Sequence, residues 1–407
     1  MYSFKIRFRI YDLLFYLLLV FSFYYTRNML CRLMMVVFFG YTVLQMITRK
    51  SKVPIPFFYI SFLAFILYGA ANIMRGNVIN AGVARTMVVS LALNLMMIVA
   101  IVQYIYMTND VPRVLRVAEL GIFSTAFVVV MLSLRTITQG RLGGGTEINS
   151  NMLAILCVYG FVMTMYLRKN GKIGQYAGWF RMAFYLLVIL LTGSRKGLIM
   201  VVLAIVVIQF VGDRKRILKK LIIGAGLIAA LYILIMNVEV LYNIIGVRVE
   251  NLLTMLSEDG TATEESLEER QYLVKTGLQY IKEKPWTGYG YDCFKLVSGK
   301  GPNGKVAIGE VGFYSHNNYI ELLFGGGIIA LALYYSGVIH LLIKLLKKLR
   351  KDMSVPYLLA IIISKLSIEY YYVSSYERID AYILAIVLGC MLIAGKNKVN
   401  VEELEAG

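Results

Sequence analysis

Residues 85–107, RTMVVSLALNLMMIVAIVQYIYM, carry a single charge, at the first position, and are otherwise uncharged and mostly apolar. A bilayer-spanning helix needs about 20 such residues. Comparable stretches recur near 10–26, 30–48, 54–74, 115–134, 151–167, 178–193, 196–211, 219–238, 317–343, 355–372 and 379–395, separated by short charged connectors. The pattern predicts an all-α polytopic membrane protein with about twelve transmembrane helices. Composition agrees: 59% hydrophobic against 16% charged residues, with a mean hydropathy of +0.68, excludes an ordinary water-soluble domain.

A formal charge of +18 raises the question of a nucleic-acid partner, so the placement of the 42 Lys and Arg residues decides the matter. They form no single patch. With the N-terminus in the cytoplasm, groups such as Lys5-Arg7-Arg9, Arg49-Lys50-Lys52, Arg168-Lys169-Lys172, Arg214-Lys215-Arg216 and Lys344-Lys347-Lys348 all fall on the inner side. This is the positive-inside bias of a multi-pass protein with both termini cytoplasmic, and its partner is membrane lipid, with no nucleic acid implied. The basic start followed by the apolar run from Leu13 to Tyr25 lacks a small-residue cleavage site, which predicts a retained first helix. The implied organisation is nine helices over 1–238, a large extracytoplasmic loop over 239–316, three helices over 317–395 and a cytoplasmic tail over 396–407. Cys31, Cys157, Cys293 and Cys390 are scattered without pairing or metal-ligand spacing and read as packing residues.

All six prolines lie in connectors or first turns, so proline breaks no span core. Gly325-Gly326-Gly327 in the tenth span reads as a close-packing point. Inside the polar loop, 261–284 reads as an amphipathic helix, with Thr261 and Glu264 fitting a capping box and Pro285 ending it. Lys284-Pro-Trp-Thr-Gly-Tyr-Gly290 follows as a Gly-rich aromatic turn, and Ser298–Gly304 as a flexible stretch.

Several residues could carry chemistry. On the 261–284 helix Arg270 shares a face with Leu267, Leu273, Val274 and Gly277, while Glu264, Glu268, Gln271, Lys275, Gln279 and Lys282 mark the solvated side. A guanidinium within an apolar stripe needs a partner: either a salt bridge or a bound anion. Thr192-Gly-Ser-Arg195-Lys-Gly197 makes a tight turn ahead of a helix start, suited to a phosphate or oxyanion, although basic residues at span ends also serve as anchors. His316, one of only two histidines, stands beside Ser315, Asn317 and Asn318 at the start of the tenth span and fits either a cap or a proton-transfer group. His340, the other, reads as packed or interfacial. Arg141, Glu321 and Arg378 could line a polar cavity with Asn317 and Asn318, whereas Lys365 and Glu369, four apart on one helix, are expected to neutralise each other. No Asp-x-Asp motif occurs on any outer segment, so no metal or other cofactor is implied and arginines would supply the positive charge.

The ordered set Thr192-Gly-Ser-Arg195-Lys-Gly197, Arg270 ahead of Pro285-Trp-Thr-Gly-Tyr-Gly290, and Ser315-His316-Asn317-Asn318-Tyr319 before a Gly-rich span resembles the superfamily of bacterial O-antigen ligases and O-antigen or capsular polysaccharide repeat-unit polymerases. The likeness is strongest over 141–335. It implies a metal-independent, inverting glycosyltransferase of the membrane type C fold in the bacterial plasma membrane. Its donor would be a polyprenyl-diphosphate-linked glycan, presented on the outer face to a glycan acceptor. By the same resemblance Arg195 and Arg270 would hold the diphosphate and His316 would deprotonate or orient the acceptor hydroxyl. A lipid-linked repeat-unit acceptor, making the protein a surface polysaccharide polymerase, is the favoured reading, because Tyr and Phe abound. The alternatives are a ligase to another acceptor and a lipid-linked oligosaccharide flippase, which would show midplane charge and broken helices.

Overall fold

A computed structural model of the chain describes residues 9–24, 28–133, 142–143, 148–212, 265–299 and 312–395, with short pieces between 226 and 246. Among the described residues there is no strand. Eight helices come first: α1 (Ile10–Tyr24), α2 (Met29–Thr48), α3 (Phe57–Met74), α4 (Ala81–Thr108), α5 (Val111–Ser133), α6 (Ser150–Lys169), α7 (Gln175–Leu191) and α8 (Arg195–Gly212). After the polar segment begins come α9 (Glu265–Glu283), α10 (Asn318–Lys348), α11 (Val355–Ile368) and α12 (Arg378–Ile393). Six of these, α2 to α6 and α10, are long and apolar enough to cross a membrane, and α1, α7 and α11 are shorter apolar helices. The chain is therefore an all-helical, multi-pass membrane protein. Much of the expected span at 219–238 lies outside the described residues, as do the capping pair Thr261 and Glu264, the end of the Ser298–Gly304 stretch, the tail and Arg141.

Local chemistry sets the helix ends. The Asn80 side chain accepts the Gly82 and Val83 N–H groups at 2.9 and 3.1 Å to open α4, and Asn109, in the left-handed region at φ 48°, closes it. Helix direction alternates from α1 to α8, and the connectors gather at two ends of the bundle. One end is rich in Lys and Arg. There Gln103 of α4 donates to Ser51 Oγ at 3.0 Å, and Lys348 of α10 donates to the Met391 and Ala394 carbonyls at 2.7 and 2.9 Å. Buried acids in the spans are paired: Asp12 with Arg113, whose Nε donates at 2.9 Å, and Glu119 with Arg181 and the Tyr185 hydroxyl. Each pairing avoids the several-kcal/mol cost of an isolated buried charge, about 3–5 when a partner is removed. All four cysteines are free and buried.

Helix α9 is amphipathic and lies against α10. Leu273 and Gly277 face the bundle, Gly277 meeting Ile320 and Phe294, while Gln271, Lys275, Gln279 and Lys282 are exposed, as the periodicity predicts.

Two expectations need correction. The tenth span is interrupted, by glycine where no proline stands: Gly326 (φ −151°, ψ 15°) and Gly327 (φ 67°, ψ −166°) leave helical geometry inside α10. The 284–290 turn fills the gap. Tyr289 N–H donates to the Phe324 carbonyl at 2.7 Å, Gly290 N–H to the Gly325 carbonyl at 2.9 Å, and the Ile328 N–H to the Pro285 carbonyl at 2.8 Å. Backbone groups freed by the break are thus satisfied by a docked loop, as a low-dielectric setting demands. Only glycine fits at 327, because a Cβ would collide with the Trp286 backbone. The eleventh span is also shorter than the expected 355–372. Helix α11 stops at Ile368, and the chain turns through Tyr370 and Tyr371, both exposed.

Candidate active site at the His316 turn

At the end of the bundle opposite the Lys-rich one, three segments converge: the start of α8, the turn before α10, and the α11–α12 connector. The α10 turn is tightly braced. The Asn317 side chain caps the helix by accepting the Tyr319 and Ile320 N–H groups at 2.9 and 3.1 Å. The buried Glu321 carboxylate accepts the Ser315 N–H at 2.9 Å, and Ser315 Oγ donates to the Asn317 carbonyl at 2.8 Å. Asn318 reaches the other way: its N–H donates to the Glu369 carbonyl at 2.8 Å, its Oδ1 accepts the Ser374 and Ser375 N–H groups at 3.1 and 3.0 Å, and its Nδ2 donates to the Tyr335 hydroxyl at 2.9 Å. Asn317, Asn318 and Glu321 therefore hold the turn in place with their side chains.

That bracing forces His316 into the left-handed region, φ 55°. A non-glycine residue pays roughly 1–2 kcal/mol for this conformation, and such strain concentrates at functional sites. The imidazole lies 4.1 Å, ring centre to ring centre, from Tyr314, and its Nδ1 is buried without a hydrogen-bond partner among the described residues. Burial first, then the positive charges of Lys196 and Arg270, lower its pKa from 6.5 to about 4. At neutral pH the ring is uncharged, and the same burial and charges make it a weak base.

The same coupling shows which residues the fold brings together: His316, Arg270 and Lys196 share one electrostatic neighbourhood. Lys196, which the sequence offers only as part of a motif, is anchored by donating to the Tyr371 carbonyl at 2.5 Å, with its ammonium 5.6 Å from the Tyr372 ring. Arg195 opens α8 next to it, half-buried. The turn before α8 uses its small polar groups internally: Ser194 Oγ donates to Asn151 Oδ1 at 3.0 Å and accepts the Gly197 N–H at 3.4 Å. The charged side chains of this turn are Arg195 and Lys196. Arg378 points elsewhere, toward α2, where Nη1 donates to Cys31 Sγ at 3.0 Å.

Beneath the turn lies a second polar cluster. Glu369 is bonded by Lys365, by Ser374 Oγ at 2.5 Å and by the Tyr335 hydroxyl at 2.7 Å, and Lys365 also donates to Ser374 Oγ at 2.7 Å. The Tyr372 hydroxyl donates to buried Asp380 at 2.7 Å and Tyr159 adds a 3.3 Å contact. The i,i+4 pairing of Lys365 with Glu369 was legible; its tie to Asn318 through Tyr335 and Ser374 was not, because Tyr335 comes from another helix and Ser374 from the α11–α12 connector.

Residues 180–335 match the family model of the O-antigen ligases, a stretch from α7 into α10 that contains Arg195, Lys196, Arg270 and His316. Over these residues the chain is similar to the O-antigen ligases. Arg378 and the Lys365–Glu369 cluster fall outside the matched stretch. A comparison with curated proteins gives no match.

Proposed function

We propose that the protein is a member of the O-antigen ligase and polymerase superfamily and acts as a surface polysaccharide polymerase. It transfers a glycan from a polyprenyl-diphosphate donor to the sugar of a second lipid-linked repeat unit on the outer face of the bacterial plasma membrane, with inversion and without a metal. The observation that carries the reading is the pairing of an uncharged, strained histidine with two nearby cations. Breaking a glycosidic bond to a lipid diphosphate develops negative charge on the leaving oxygen, which fixed guanidinium and ammonium groups stabilise. Arg195, Arg270 and Lys196 are suited to that work. In the same step the acceptor hydroxyl must lose its proton as it attacks the anomeric carbon from the opposite side, and neutral His316 is the base at hand, a weak one that orients the hydroxyl and takes its proton as the new bond forms. Exposed rings of Tyr314, Tyr370 and Tyr371 at this end offer apolar faces with polar tips to a sugar chain.

The Lys-rich end of the bundle supports a cytoplasmic placement of that end and an outer placement of the His316 turn. A ligase reading rests on the family description and differs only in acceptor. Deleting the protein from its host and resolving the surface glycan by gel separates them. A polymerase deletion leaves single capped units and no ladder, whereas a ligase deletion accumulates finished polymer on the lipid carrier. Chelator added to the purified reaction should leave the rate unchanged; strong inhibition would overturn the cation-only account.

A further inference from the structure

At the Lys-rich end, α3 and α10 touch where Gly337 meets Phe58 and Ser61, so closely that a Cβ on Gly337 would strike Ser61 Oγ. About one turn later the helices part around a cavity of about 350 Å³, a size within the range of ligand pockets. Its walls include Phe57 and Phe58 of α3 and Leu388, Met391 and Leu392 of α12, and its polar groups are His340, Lys344 and Lys348 of α10. Among the described residues no carboxylate lines it. The Lys348 ammonium is held in place by the Met391 and Ala394 carbonyls, and Lys344 is exposed with no ion pair among the described residues.

We propose that this cavity binds one anionic phospholipid of the surrounding bilayer. An acyl chain fills the apolar part, against Phe58, Leu388 and Leu392, while the phosphate meets Lys344 and Lys348. Two observations favour this occupant. The cavity sits between membrane helices, where the molecule available to fill it is lipid, and its rim carries Lys344 and Lys348 with no carboxylate among the described lining residues. Basic pockets between helices are suited to anionic head groups for that reason. The cavity lies at the end opposite the His316 turn, so this site and the proposed transferase site stand or fall separately.

Native mass spectrometry of the detergent-purified protein tests it, with phosphatidylglycerol and phosphatidylcholine of identical acyl chains as probes. The wild type should retain one phosphatidylglycerol per chain in preference to phosphatidylcholine. Lys344→Glu should reduce that preference by at least about fivefold. Lys347→Glu, the same charge change at an exposed position that does not line the cavity, should leave it intact. Leu392→Trp, which fills the apolar part, should lower retention of both lipids. Equal retention of the two lipids by the wild type overturns the proposal. So does an equal loss in Lys344→Glu and Lys347→Glu, which would reduce the effect to diffuse surface charge.

Discussion

Two polar clusters lie close together in this bundle, and they are built on opposite terms. In the Lys365–Glu369 cluster every charge is answered: the ammonium meets a carboxylate and a serine, and the carboxylate meets a lysine, a serine and a tyrosine. At the His316 turn like charges gather around an uncharged ring. Two cations bear on one imidazole, whose Nδ1 has no partner among the described residues and whose backbone is strained. A closed network rigidifies what it touches, and an open one is left for a ligand. Asn318 joins them, so the closed cluster fixes the register in which the open one is presented.

Removing the open cluster's base should separate function from fold most sharply. His316→Ala is expected to lower transfer by about 10²–10⁴-fold while leaving the thermal midpoint in detergent essentially unchanged, since the side chain makes few bonds. Long-chain glycan read on a gel beside a thermal-shift curve checks both. An active His316→Ala protein at normal expression would remove His316 from the mechanism.

The closed cluster should fail the other way. Lys365→Met leaves the Glu369 carboxylate buried beside Ser374 and Tyr335 with its cation gone, a loss of about 3–5 kcal/mol. Pairing it with Glu369→Leu removes the stranded charge and should recover much of that stability. If Lys365→Met folds as well as the wild type, the cluster is not the structural brace described here. An intermediate effect is expected at the break in α10. Gly327→Ala must adopt φ 67° and meet the Trp286 backbone, and should cost about 1–3 kcal/mol with the 284–290 turn displaced, visible as new protease cleavage near Trp286.

These cases also show what the sequence could convey. Hydropathy locates the described apolar helices, apart from the early end of α11, because each has only to be apolar for about 20 residues, a local property. The face of Arg270 was legible for the same reason: Gln271, Lys275 and Gln279 are exposed where a period of 3.6 puts them. The glycine break was not legible as a break. Gly325-Gly326-Gly327 suits close packing equally well, and the choice is made by a turn some 40 residues upstream whose N–H and carbonyl groups complete the interruption. The direction taken by Arg378 depends on Cys31, 347 residues away. Lys196 was hidden by its neighbour, since the sequence shows two adjacent cations and only packing shows the second anchored to the Tyr371 carbonyl. Arg141 lies outside the described residues.

The smallest effect is the most diagnostic of the open cluster. The imidazole of His316 is held at about 4, below its ordinary value of 6.5, by burial first and by Lys196 and Arg270 second. Both cations disfavour a second positive charge nearby, so neutralising either one makes protonation easier and moves the value upward. Arg270→Gln and Lys196→Gln should each raise it, yet leave it below 6.5, because burial persists. Titration by NMR with labelled histidine reads this directly, and the chain's only other histidine, His340, is assigned by His340→Gln. The acid limb of the transfer rate should move to higher pH with the imidazole. Stability follows the same sign. The unfolded histidine binds a proton near 6.5 and the folded one only near 4, so His316 makes the wild type lose stability as pH falls between those values, and the two variants should lose less. If neither variant moves the titration, the cations do not share the neighbourhood of His316, and the contrast between the two clusters collapses.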